Sequence, residues 1–164
     1  MKELTLSERR HLEAAEGWLG LENWDEAKQE LLAIGVERAS HPEVARLVCN
    51  LLLAAGEWEE VANAAPLLCK LEPDSLEGYM QLATALHQLN RTAEARDVLL
   101  QVVDNFPRAY PIHYGLACYA CRLGNIKEAG QWWRKARRLA KSPKLEDIAR
   151  EDPDLQLLWQ EDSD

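Results

Sequence analysis

No stretch of this 164-residue chain approaches the roughly 20 apolar residues of a membrane span, so insertion into a bilayer as a helix is excluded. The N-terminus, MKELTLSERR, carries charges where a secretory leader needs an apolar core. That excludes export by this route and makes the cytoplasm the expected compartment. Cysteine is scarce, and Cys49, Cys69, Cys118 and Cys121 lack the spacing of a disulfide framework, which suits a reducing environment. His11, His41, His87 and His113 are scattered, and none shares a recognisable catalytic spacing with a serine or cysteine. A glycine-rich phosphate loop, a strand pattern and a distinctive acidic pair for acid–base work are all missing. Cys118 and Cys121 form a CxxC, but late in a helix, whereas redox versions activate a thiolate at a helix N-terminus after a strand. A zinc site there needs two further ligands, for which His87 and His113 are the neighbours by repeat geometry. The chain is therefore read as non-enzymatic, without metal or cofactor. Cations are also short: a net charge of −9 argues against nucleic-acid binding, which depends on neutralising phosphates.

What the chain does have is a period. Ala27, Val61, Ala95 and Ala129 recur every 34 residues, each preceded by a glutamate. Twelve residues upstream of each marker stands a small side chain: Ala15, Cys49, Ala83, Ala117. Four and seven downstream stand Leu31, Ala65, Leu99, Trp133 and Ile34, Leu68, Val102, Ala136. Small slots let helix backbones approach and large ones fill the space between them. The turn five residues upstream reads Glu22, Gly56, Asn90, Gly124, and Gly and Asn tolerate the left-handed backbone that ends a helix. Such a period marks a solenoid of repeated supersecondary units. Thr5 and Glu8 form a capping box for the first helix, expected to reach Leu21, with its partner from Asp25 to Glu37. Ser40 with Pro42, Asp74 or Ser75, and Pro111 open the next pairs, and Pro66 falls inside the second helix of the second unit, where a kink is expected.

The segments LENWDEA (21–27), AGEWEEV (55–61), LNRTAEA (89–95) and LGNIKEA (123–129), with Pro73 and Pro107 between units, resemble the tetratricopeptide repeat. Val61, Thr92, Ala39 and Lys141 depart from its usual residues. The resemblance implies an all-α fold, a right-handed α-solenoid of antiparallel helix pairs with repeats at 8–41, 42–75, 76–109 and 110–143. A C-terminal cap (144–160) with the stripes Leu145, Ile148, Ala149 and Leu155, Leu158, Trp159 covers the last apolar face, and an acidic tail follows (161–164).

The resemblance also implies a protein or peptide partner in a concave groove lined by the first helix of each pair. Its positions here are Arg9, Leu12, Glu16 and Leu19; Glu43, Arg46, Asn50 and Leu53; Glu77, Met80, Thr84, His87 and Gln88; and Tyr114, Cys118, Cys121 and Arg122. Arg46 and Asn50 match one step of the clamp by which some members of the family hold a chaperone C-terminus. Thr84, Pro111 and Gly115 break the pattern beyond it. Trp18, Trp24, Trp58 and Trp133 fall in packing slots, while Trp132 is off register and is expected to pack under the terminal helix. With Arg134, Arg137 and Arg138 it makes an outer patch, read as a solvated face with docking of an acidic partner as the alternative. The leading function is an interaction adaptor. The alternatives are a secretion chaperone resembling the class II chaperones of type III secretion, and a homodimer built through Trp132 or Trp159.

Overall fold

Caps, apolar periodicity and left-handed turn residues convert the period into helix pairs. The structure, a computed structural model, describes residues 3–161; Asp162 and Asp164 of the expected acidic tail lie outside them. The helices are α1 (Leu6–Gly20), α2 (Trp24–Ile34), α3 (Pro42–Ala55), α4 (Trp58–Leu71), α5 (Glu77–Gln88), α6 (Thr92–Val102), α7 (Tyr110–Arg122), α8 (Ile126–Ala140), α9 (Pro143–Glu151) and α10 (Gln156–Glu161). Short 3-10 turns lie at Val36–Arg38 and Pro153–Leu155, and the described residues contain no strand. None of these helices is long and apolar enough to cross a membrane.

The capping box forms. Thr5 Oγ1 accepts the Glu8 N–H at 3.3 Å, and Glu8 accepts the Thr5 N–H at 2.6 Å. Arg38 adds bonds of 2.7 and 3.1 Å to the same carboxylate, and these together hold the Glu8 pKa down at about 2. What that pair adds to stability is present above the ordinary value of 4.5 and is lost as pH falls toward 2.

All four turn positions take the left-handed conformation: Glu22 (φ 57°), Gly56 (72°), Asn90 (61°) and Gly124 (78°). At Glu22, which has a Cβ, this costs on the order of 1 kcal/mol. Two expected boundaries are corrected. Gly35, at φ 95°, stops α2 at Ile34, before Glu37. His41, not Ser40, is the N-cap of α3 and makes no side-chain cap bond, so Pro42 in the first turn is what starts that helix. Ser75 does assist α5, its hydroxyl accepting the Glu77 N–H at 3.4 Å. α4 runs through Pro66 to Leu71 even though proline brings no N–H to the helix.

The chain divides into two compact units, 1–85 and 86–164. In the first, Leu4, Leu12, Ala15, Ile34, Val44 and Leu47 form one cluster, and Cys49, Val61, Ala65, Leu68 and Ala85 belong to another. In the second, α7 is buried from Ile112 to Cys121 apart from half-buried Tyr114, packed by α6, α8, α10 and the Pro153–Leu155 turn. The marker alanines and Val61 are 0–1 % exposed, as are Ala15, Cys49, Ala83 and Ala117, so these slots are where helices meet most closely. Trp133 is buried, whereas Trp18, Trp24 and Trp58 are half-buried.

Candidate functional site

In the first unit the structure brings together residues from three first helices. Arg9 of α1 lies 3.5 Å from Glu43 of α3. Arg46 of α3 pairs with Glu72 and lies 3.7 Å from Glu77 of α5. Asn50 accepts a hydrogen bond from the Gln81 side chain of α5. Glu16 is exposed on α1, and Leu53, Met80 and Thr84 are half-buried. Leu12 does not belong to this face: at 4 % exposure it sits in the core with Leu4 and Ile34, because its side chain turns toward α2 and α3 rather than lying between Arg9 and Glu16. Leu19 and Leu53 likewise lean on core clusters. The Arg46 guanidinium, its pKa raised chiefly by the hydrogen bond to Glu72, is already engaged, so an acidic ligand there competes with the chain's own carboxylates.

In the second unit the corresponding face is covered by the chain itself. The Tyr114 hydroxyl donates to Asp152 Oδ2 at 2.6 Å, and the Cys118 thiol points to the same oxygen at 3.7 Å. Asp154 lies 2.8 Å from His87 Nε2 and 3.4 Å from Arg122 Nε. His87 Nδ1 is 3.0 Å from the Thr92 hydroxyl, and its ring lies against Tyr119. Leu155 is fully buried beneath this segment. Cys118 and Cys121 are therefore interior residues and Tyr114 a hydrogen-bonded one, which corrects the expectation that they line an open groove; Arg122 and Gln88 remain exposed. Burial, reinforced by Asp152 and Asp154, pushes the Cys118 thiol up, and burial raises Cys121 too. Cys49 and Cys69 are pushed up to about 11 by burial. All four are free thiols held in the protonated state, the opposite of an activated CxxC. Among the described residues no three His, Cys, Asp or Glu side chains converge to hold a metal.

The expected cap is present in two pieces, α9 and α10, separated by the turn after Asp152. Trp159 packs into it, with Nε1 donating to the Ala149 carbonyl at 2.9 Å and its ring edge-on to Trp133 at 5.6 Å. Trp132 does not pack under the terminal helix. Its Nε1 donates to Glu128 at 3.0 Å, its ring stacks on His113 at 5.7 Å, and Lys135 lies over it. The Glu128 carboxyl also takes Arg96 at 2.8 Å; burial pushes its pKa up, but the bonds from Trp132 and Arg96 outweigh that and hold it low. Arg134 and Arg138 are exposed, and Arg137 lies 3.2 Å from Glu146.

His113 is fully buried. Its Nε2 donates to the Pro107 carbonyl at 3.2 Å, leaving Nδ1 without a partner among the described residues. Burial depresses its pKa below 6.5, against the Pro107 bond and with help from Lys135. The unfolded chain therefore binds this proton more tightly than the folded one. The His113 contribution should be constant above about pH 7 and fall as pH drops through 6.5, and His113→Gln should remove that step in urea midpoints measured from pH 7.5 to 5. The Glu8 contribution survives to much lower pH, so the two effects separate.

No protein-family model matches this chain, nor does any curated protein. Solved structures do. A MamA fragment from Desulfovibrio magneticus superposes with a TM-score of 0.74 at 17 % identity, covering 84 % of this chain and 77 % of that one. A thermophilic TPR protein of Thermus thermophilus gives 0.68 at 20 % identity over 92 % and 86 % of the two chains. The TPR-like repeats of a putative kinesin light chain from Podospora anserina give 0.70 at 18 % identity over 94 % and 88 %. The fold is the tetratricopeptide-repeat solenoid.

One feature of this tetratricopeptide fold is not announced by the repeat pattern. A mainly apolar cleft of about 260 Å³ opens at the junction of α2 and α3, lined by Trp24, Leu31, Leu32, Val36, Val48 and Leu52. Leu32 and Val36 are 58 % and 85 % exposed. The available signal is Gly35 followed by an apolar Val36, with Ala39 in the slot where other junctions carry Pro73 and Pro107.

Proposed function

We propose that the chain is a non-enzymatic protein-interaction module that takes an extended or helical partner segment on the first-helix face of its N-terminal unit. The observation that carries this reading is the contrast between the two units. In 86–164 the corresponding face is filled by Asp152–Leu155, whereas in 1–85 Arg9, Glu16 and Glu43 keep solvent-accessible charge beside half-buried Leu53, Met80 and Thr84. Apolar footholds flanked by polar groups suit peptide recognition, where the former supply affinity and the latter fix register.

The test is affinity capture from the native lysate with paired variants. Met80→Glu with Thr84→Arg should reduce partner recovery about tenfold or more without shifting the thermal midpoint enough to unfold the protein. Leu32→Glu with Val36→Glu, on the α2–α3 cleft, should leave recovery unchanged. The reverse outcome would assign binding to that cleft and sink the first-helix reading.

A further inference from the structure

We infer that the cleft between α8, α9 and α10 is a second binding site, for an acidic partner segment that carries apolar side chains among its carboxylates. The cleft measures about 480 Å³, and three guanidiniums, Arg134, Arg137 and Arg150, line it above Leu158 and Trp159. Its one carboxylate, Glu146, lies 3.2 Å from Arg137 and 3.7 Å from Arg150 and shows the group these guanidiniums accept. Arg150 also lies over the Trp159 ring at 5.6 Å. Arg134 is exposed and makes no ion pair among the described residues, so the cleft keeps an uncompensated cation.

Two features narrow the ligand. The excess of guanidinium over carboxylate calls for an anion, and planar forks match carboxylates in two-point contacts. The leucine and indole floor calls for an apolar side chain next to that anion, which a simple ion does not supply. Extended polyanions such as nucleic acid are disfavoured because the chain carries −9 overall, so its far field repels what the cleft alone would attract. Gly130 lies at the cleft wall, close to the Arg134 guanidinium and Leu158. This site is independent of the N-terminal face proposed above.

The probe is a fluorescein-labelled peptide, Asp-Glu-Leu-Asp-Phe-Glu, titrated with the full chain and read by anisotropy. Saturable binding that weakens as salt is raised is expected. Arg134→Glu, which breaks no ion pair or hydrogen bond among the described residues, should weaken it about tenfold, and the charge-matched Arg108→Glu should stay within about twofold. Melting curves confirm that both variants fold. The proposal is overturned if wild type shows no saturable binding, or if both substitutions weaken it equally. Equal binding of the carboxamide peptide Asn-Gln-Leu-Asn-Phe-Gln also overturns it, as does tripolyphosphate competing as well as the unlabelled acidic peptide.

Discussion

Replacing Leu155 by alanine lowers stability by about 3 kcal/mol, within the 2–5 kcal/mol range for truncating a fully buried leucine. Leu155 is 0 % exposed, and the turn that carries it packs on α7. Its loss leaves a cavity above a helix that is itself buried on nearly every side, so little can collapse to fill it. The effect has a local signature. Asp152 and Asp154 hold Tyr114, Cys118, His87 and Arg122 just ahead of that leucine, and α10, which follows it, packs on α7 where Cys121 is buried. Loosening the turn therefore uncovers thiols that are otherwise buried and protonated. Site-resolved alkylation should show Cys118 and Cys121 reacting much faster in Leu155→Ala, with Cys49 of the other unit unchanged. Leu157→Ala removes a side chain that is 47 % exposed and should cost less than about 0.5 kcal/mol. Equal losses for the two leucines would mean that the turn is not what seals α7.

The same segment marks the limit of what the period can reveal. Ala27, Val61, Ala95 and Ala129 announce their burial because the same small apolar slot returns every 34 residues, and the same logic identifies Ala15, Cys49, Ala83 and Ala117. Leu155, Leu158 and Trp159 are legible as a capping stripe, since an apolar face needs cover. Where that stripe docks is not legible. Asp152 and Asp154 belong to no repeat, and two acids beside a proline read as solvated surface until Tyr114, Cys118 and His87 are seen to receive them. Cys118 and Cys121 lie off the packing slots, which points to a groove; that inference holds only while nothing else folds over them. Arg46 and Asn50 show a related gap. Their partners Glu72, Glu77 and Gln81 sit 26 to 31 residues on, short of the period, so aligning the repeats never places them side by side. Leu12 misleads for a simpler reason: i, i+3 and i+4 positions share a broad helix face, and its edge is core.

Gly78→Val should destabilise the chain by about 3 kcal/mol, the upper end for inserting bulk into a filled core. No glycine in the repeat markers points to it. Gly78 is buried in the first turn of α5, and a Cβ there would stand 3.1 Å from the Cys69 backbone nitrogen, 3.2 Å from Cys69 Sγ and 3.2 Å from Leu68 Cγ. The sulfur can rotate, but the amide nitrogen belongs to α4 and moves only if that helix moves. Two glycines separate this close approach from helix propensity. Gly17 lies inside α1, where an added Cβ would meet nothing within 4 Å, and its replacement by alanine should gain up to about 1 kcal/mol. Gly78→Ala brings a propensity gain against a contact tighter than most real ones, so the two should cancel or leave a net loss. Urea denaturation of Gly17→Ala, Gly78→Ala and Gly78→Val should therefore rank them in that order of stability. A stabilised Gly78→Ala would show that α4 and α5 can part without cost, and the closeness of that pair would no longer explain the glycine.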